Sequence, residues 1–342
     1  LQQIEGRQRT HDKLPTFAQM EDWWYPVRLS CEQCSSEATA RYKAELLRQL
    51  GDEAIEGKIT TLIDLTAGYG VDSFFMAEHT KEAYYVERNA ELCAIAEHNF
   101  SLHRPHIQIH NTTAEDFLTT LPISNIQYPI SNTPYPISNN PYPIANTLIY
   151  LDPARRSQSG GKVFRIEDCE PNVIELLPTL RQHASHIMIK FSPMLDITAA
   201  LRVLGRDWDM HIVAVNNEVK EVLFLTGTGV MHAVNIHTRE MRTDRFFFSP
   251  ADEHQAQLTI AADIQQYIYE PNAAIIKAGA YRLVGERYEL QKLDTNTHLY
   301  TSDSFLSGFP GRVWEVIEAE VKDPKKQLDT KAKYSILSRN YP

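Results

Sequence analysis

Asp64, Gly68, Gly70 and Glu87 have the types and spacing of a ligand site. Thr61 to Leu65 is a short apolar run with one acid near its end, which predicts a buried parallel strand. Gly68 and Gly70 then allow a tight turn with no side chain between backbone and ligand. Val71 to Glu78 has helical spacing. A strand, a glycine turn and a helix start make a place for a nucleotide-like ligand. Ala83 to Val86 predicts a second strand, with Glu87 at its end. An acid there, roughly 20 residues past the first glycine, can accept from both ribose hydroxyls.

Two nucleotide folds share this plan. The dinucleotide fingerprint needs a third glycine, and Ser73 stands at that position, so the match is broken. Asp64 just before the turn would repel a pyrophosphate and suits a ligand carrying an ammonium group. On Asp64, Gly68, Gly70 and Glu87 the chain resembles the class I S-adenosylmethionine-dependent methyltransferases. The resemblance implies S-adenosylmethionine as cofactor. Asp64, Gly68 and Gly70 would hold its methionine end and Glu87 its ribose. Thr66, Ala67 and Asp72 of the same loop, and Arg88 beside Glu87, go with them as cofactor residues. In that family the loop after the third strand holds the adenine. Ile107 to Ile109 predicts that strand, so Thr113, Ala114, Glu115 and Asp116 are the candidates. The family usually has an acid where Thr113 stands. The same residues also fit a helix N-cap with acids in the first turn, and they can do both jobs. The plain alternative is a doubly wound domain whose glycine turn is only a turn.

Thr147 to Leu151 predicts a fourth strand, and Asp152-Pro153-Ala154-Arg155-Arg156 follows it directly. Ligands in open α/β sheets bind beyond the carboxyl ends of the strands. Asp152 and the Pro153 carbonyl could accept hydrogens from an exocyclic amine and orient its lone pair, as in amino-methylating members of the family. Ala154 and Arg155 depart from that pattern, so no ring waits to stack on a base. The stretch also looks like that of ring-carbon pyrimidine methyltransferases. Those need a cysteine after the fifth strand, and Ser192 stands after Ile187 to Phe191 here, which disfavours that chemistry. Arg155 and Arg156 could clamp phosphate or a carboxylate, or pair structurally with Asp168 or Glu170. Gly160-Gly161-Lys162 suggests a loop that closes over substrate.

The elements that must position these residues form an alternating α/β unit. The expected fold is α/β: a Rossmann-like seven-stranded methyltransferase core at 56–248, an N-terminal helical arm at 1–55 and a smaller C-terminal α+β domain at 249–342. Met210 to Val215, the Asn216-Asn217 turn and Glu221 to Leu225 predict a hairpin at the end of the sheet. In the arm, Lys43 to Leu50 is helical with Gly51 as its C-terminal cap, and Ser35-Ser36-Glu37 resembles a helix start. Trp23, Trp24 and Tyr25 read as a hydrophobic anchor or a base-stacking platform. Leu121 to Asn146 repeats a Pro-Ile-Ser-Asn-like unit every seven residues without a charge. That reads as an extended surface insertion, with a proline-rich docking segment as the alternative.

Composition sets the outer limits. The 342 residues allow two or three domains, and 43% hydrophobic with 23% charged residues is ordinary for a soluble protein. No apolar run reaches membrane-spanning length and no signal peptide opens the chain, so a cytoplasmic location without membrane association is expected. Leu1 rather than Met suggests missing native residues. Cys31 and Cys34 lack a second ligand pair, so they read as reduced thiols and no metal is expected. The net charge of -10 argues against coating nucleic acid by bulk electrostatics, though Lys322, Lys325, Lys326, Lys331 and Lys333 bias the last stretch basic.

Glu32 to Glu37, Thr66 to Asp72, Asp152 to Arg156 and Phe309 to Arg312 together resemble a bacterial family of class I methyltransferases with a C-terminal THUMP-like domain. The resemblance covers nearly the whole chain except the repeat, and the THUMP-like domain is expected to continue past Pro342. THUMP domains bind RNA, so it implies an RNA substrate, tRNA or rRNA, methylated on a nucleobase. A protein or small-molecule methyltransferase, a non-catalytic RNA-binding module and an oxidoreductase are the alternatives.

Overall fold

A computed structural model describes residues 1–53, 58–121, 146–155 and 166–319. The repeat from 122 to 145, Arg156, the Gly160-Gly161-Lys162 loop and the last lysines lie outside the described residues. The arm is helical as expected: α1 (Gln2–Thr10), α2 (Pro15–Gln19), α3 (Arg28–Gln33) and α4 (Glu37–Glu53). Ser36 Oγ accepts from Thr39 N at the start of α4. That helix runs through Gly51 to Glu53, so Gly51 is an interior residue and not a cap. An isolated glycine is tolerated there because the rest of α4 supplies the propensity and the packing.

Strand and helix then alternate: β1 (Thr61–Asp64), α5 (Val71–Met76), β2 (Glu82–Glu87), α6 (Ala90–His103), β3 (Ile107–Asn111), α7 (Ala114–Thr120) and β4 (Thr147–Leu151). A short antiparallel pair follows, β5 (Ala154–Arg155) with β6 (Cys169–Glu170). Next come α8 (Val173–His183), β7 (His186–Phe191), α9 (Ile197–Leu204), β8 (Trp208–Val215), β9 (Glu218–Thr226), β10 (Met231–His237) and β11 (Arg242–Phe248). The main sheet has the order β11-β10-β8-β9-β7-β4-β1-β2-β3. It holds nine strands, two more than the sequence led us to expect, because the residues after the hairpin form β10 and β11. β4, β1, β2 and β3 pair in parallel, and β4 pairs with β7 the same way. Every residue of β4 is buried, the continuous apolar run a covered parallel strand requires. β9 runs antiparallel to β7, and Asn216 and Asn217 turn the chain into it at φ 50° and 69°.

The chain forms two compact units, Leu1–His211 with Lys220–Thr228, and Ile212–Val219 with Gly229–Pro342. The second contains α10 (Pro250–Gln255), β12 (Tyr267–Pro271), α11 (Ala273–Ala278), α12 (Tyr281–Arg287), β13 (Gln291–Lys292), β14 (Tyr300–Ser302) and β15 (Gly311–Glu315). Its own sheet has the order β13-β14-β12-β15, around buried Tyr269 and Tyr300. Asn272 caps α11 and Gly279 ends it in the left-handed region. Among the described residues no helix is long and apolar enough to cross a membrane.

Candidate functional site

The parallel strands β1, β2, β3 and β4 end around a cavity of about 620 Å³, a size suited to a nucleoside with an amino-acid tail. Its lining includes Asp64, Thr66, Ala67, Gly68, Gly70, Asp72, Glu87, Arg88, Thr113, Ala114, Glu115 and Asp152. These residues come from four separate strand ends, and the parallel sheet brings them to one mouth. Asp116 and Pro153 are not in the lining. Asp116 sits in the first turn of α7, where its N–H donates to the Thr113 side chain at 3.1 Å, so Thr113 is the N-cap.

The glycine turn is held from two sides. Gly68 N–H donates to Glu87 Oε2 at 3.0 Å, so Glu87 points at the bend. Its other oxygen accepts from Asn89 N–H at 2.8 Å. Tyr85 donates to the Gly68 carbonyl at 2.5 Å. Gly68 has φ +55°, and a Cβ there would meet only Thr66 O at 3.9 Å. A side chain on Gly68 would enter free space in the lining, so this glycine keeps room for a ligand. Gly70 answers a different demand. Its φ is +82° and a Cβ would lie 2.6 Å from Phe100 Cζ, so Gly70 is required by packing inside the fold. The sequence had assigned both glycines to the ligand.

Asp64 is fully buried. Its carboxylate accepts from Ser73 Oγ at 2.5 Å and from Thr66 N–H at 3.2 Å. Ser73, at the broken third-glycine position, thus serves Asp64. Burial pushes the Asp64 pKa up to about 8, against those hydrogen bonds. The donor set fits S-adenosylmethionine: Glu87 has lone pairs left for ribose hydroxyls, Gly68 leaves space, and Asp64 lies in the lining near the turn.

Asp72 belongs to a buried ionic cluster that composition did not announce. Its Oδ2 accepts from Ser35 Oγ at 2.7 Å and Tyr150 OH at 2.8 Å. Its Oδ1 lies 3.1 Å from Lys43 Nζ, too poorly aligned for a hydrogen bond. Lys43, with no exposed surface, also reaches both oxygens of Glu221 at 2.9 Å. Burial would raise Asp72, but Lys43 and Lys190 outweigh it and hold the carboxyl below its usual range. Burial raises Glu221 despite Lys43.

Asp152 stands at the end of β4 as expected. Its N–H donates to Thr66 Oγ1 at 2.6 Å, and its Oδ2 accepts from Lys190 Nζ. Burial would lower Lys190, but Asp152 and Glu221 outweigh it and raise its pKa. Arg88 pairs with Glu170 at 2.5 Å, so Glu170 already has a partner besides the two arginines the sequence offered it. Arg155 lies in β5 opposite Cys169.

Sequence reasoning missed Ser35, Lys43, Tyr150, Lys190 and Glu221. Lys43 sits among buried Tyr42, Ala44, Leu46 and Leu47, and Lys190 and Glu221 are single charges in buried strand runs. A lone charge in such a run was the available signal. Ser30, Gln33, Cys34 and Ser35 of the arm also line the cavity. Burial pushes the Cys31 thiol up to about 11 and raises Cys34. Among the described residues no group of His, Cys, Asp and Glu is arranged to hold a metal ion. Trp23 and Tyr25 are buried anchors, whereas Trp24 is 47% exposed and stacks on His98 with centroids 3.8 Å apart.

A family model of a ferredoxin-like domain matches residues 267–310. The crystal structure of a Porphyromonas gingivalis W83 protein proposed to be a methyltransferase matches with 32% identity and a TM-score of 0.76, covering 93% of this chain and 73% of that one. Two Mycobacterium tuberculosis proteins, named uncharacterised S-adenosylmethionine-dependent methyltransferases, are 24% identical over 188 residues, 52% of this chain. The match spans 47% of their length, so the chain covers about half of these curated relatives.

Proposed function

The chain belongs to the S-adenosylmethionine-dependent methyltransferases, and from that premise we propose that it methylates a nucleobase in structured RNA, tRNA or rRNA. Its cofactor is S-adenosylmethionine, which supplies an electrophilic methyl group. The observation that carries the reading is Asp152 at the cavity mouth. Lys190 and the Thr66 hydroxyl fix it at Oδ2 and at its N–H, and Oδ1 has no partner among the described residues. Oδ1 accepts a hydrogen of an exocyclic amine and leaves its lone pair for the methyl carbon. Methyl transfer is an in-line displacement, so fixing that nitrogen supplies much of the rate.

Glu87 and Arg88 take the ribose side, Thr113, Ala114 and Glu115 the adenine side, and Asp64, Thr66, Ala67, Gly68, Gly70 and Asp72 the methionine side. Arg155 and Arg156 clamp the acceptor's phosphate. The domain at 249–342, which contains the ferredoxin-like match at 267–310, is read as THUMP-like on the family resemblance, and that resemblance supports an RNA acceptor. The three-part division at 55 and 248 and a cytoplasmic location belong to the same reading. A second reading has support from the cavity: its lining holds more carboxylates than cations, which suits a protein or small-molecule amine.

Mass spectrometry of bulk RNA nucleosides from a deletion strain tests this. Loss of one methylated nucleoside, restored by the wild-type chain and not by Asp152→Ala, is the expected result. An unchanged nucleoside profile, with label from tritiated cofactor entering protein instead, would replace RNA by the second reading.

A further inference from the structure

The cavity carries a charge imbalance that the transfer reaction does not require. Asp72, Glu87, Glu115, Asp152 and Glu170 line it, with Glu221 directly behind. Against them stand Arg88 and Lys190 in the lining and Lys43 behind. No histidine lies in the lining. Arg88 is taken by Glu170 and Lys190 by Asp152. Lys43 is shared between Glu221 and Asp72. Glu87 and Glu115 have no cation paired with them among the described residues, so the described lining carries an excess of negative charge.

That excess acts on the one feature that differs between cofactor and product. S-adenosylmethionine and S-adenosylhomocysteine share the same adenosine, ammonium and carboxylate. They differ in a methyl group and in the sulfonium charge, which is lost when the methyl leaves. We infer that this cavity selects the charged cofactor over its demethylated product electrostatically, and that the Asp152–Lys190 pair sets the size of the preference. Asp152 follows β4 and Lys190 lies near the end of β7, at the mouth where the transferable methyl must meet its acceptor. While paired they are neutral, and the surrounding carboxylates decide the sign. Removing either partner shifts the net charge at the mouth by one unit of known sign, although Lys190 keeps Glu221 and Asp72 as neighbours, in a partly water-excluded site where charges act strongly. The inference rests on the cofactor and not on the nature of the acceptor.

Isothermal calorimetry of the full chain tests it without any acceptor. Three compounds are titrated: S-adenosylmethionine, S-adenosylhomocysteine and sinefungin, which carries an ammonium on carbon in place of the methylsulfonium. The two cations should each bind at least about fivefold tighter than S-adenosylhomocysteine, and the gap should shrink as salt is raised. Asp152→Asn removes one negative charge beside Lys190 and should weaken both cations about tenfold. Lys190→Met leaves Asp152 bare and should widen the preference for the cations. S-adenosylhomocysteine affinity, unchanged within about twofold in both variants, shows that each still folds. Equal or tighter binding of S-adenosylhomocysteine to the wild type overturns the inference while leaving the cofactor assignment standing. So does an equal shift of all three compounds in both variants, the mark of a merely structural role. No heat with any of the three overturns the cofactor assignment and the inference with it.

Discussion

A carboxyl group with no exposed surface ends β1 just before the ligand loop, and its protonation has a measurable consequence. The ordinary carboxyl of Asp64 would release its proton near 3.8, but in the folded chain it holds it to about 8. Between those values the folded state binds a proton that the unfolded chain does not. The stability this brings is full below the unfolded value and is lost as pH rises through about 8. The cofactor-free protein should therefore melt at progressively lower temperature from mildly acid to alkaline pH. Asp64→Asn, neutral throughout, should flatten that fall and be the more stable protein above about pH 8. Parallel melting curves for the two proteins across pH would show that Asp64 is ionised in the empty cavity. Asp64 as an acid before the turn was legible from sequence, as were Gly68 and Glu87. Its protonation was not, because it depends on burial and on Ser73, which the motif registers only as a missing glycine.

At the scale of elements, the arm and the glycine turn are built as one piece. Tyr69, the residue between the two glycines, is buried against the arm, and Trp23 Nε1–H donates to its hydroxyl at 2.7 Å. Phe17 stacks on Trp23 with centroids 3.9 Å apart. Below them Lys43 ties α4 to the start of α5 and to β9. Removing one member of a buried ion cluster leaves its partners desolvated and unpaired, which costs about 3–5 kcal/mol. Lys43→Met should therefore destabilise the chain by about that amount in chemical denaturation followed by tryptophan fluorescence. Lys43→Met combined with Glu221→Leu should recover part of the loss, because Asp72 keeps Ser35 and Tyr150 as donors. A loss under about 1 kcal/mol for the single variant would mean that water reaches the cluster. Strands β1 to β4 and the hairpin were readable because a covered parallel strand and an Asn-Asn turn leave local patterns. Trp23 and Tyr25 were readable as an anchor, but not the partners of the arm, since these are contacts between residues far apart in the chain, Trp23 with Tyr69 and Lys43 with Glu221. The strands β10 and β11 escaped for a related reason: Arg242 to Arg245 is polar or charged and only Phe246 to Phe248 is apolar, shorter than the apolar runs that marked the core strands.

The molecule as a whole carries a net charge of -10, and its cavity adds to the local negative potential. A polyanion is repelled at long range by such a chain, and association gains nothing from steering. An RNA acceptor must therefore be held by a few short-range contacts, with Arg155 and Arg156 as the nearest candidates by sequence to Asp152. Each phosphate neutralised by a protein cation releases a counterion and adds about 0.7 to 0.9 to the steepness of the log affinity against log salt plot. Two to four such contacts, the number a pair of arginines and a neighbouring lysine or two could make, give a slope of about -1.4 to -3.6. Filter binding of bulk tRNA across a salt series measures it directly. Arg155→Ala should then weaken binding at low salt and make the slope shallower by about one contact, without altering cofactor affinity. A slope near -7 or steeper would point to an extended basic groove away from Asp152. Binding that stays undetectable at low salt would leave the amine-bearing protein or small molecule as the acceptor this cavity is charged to receive.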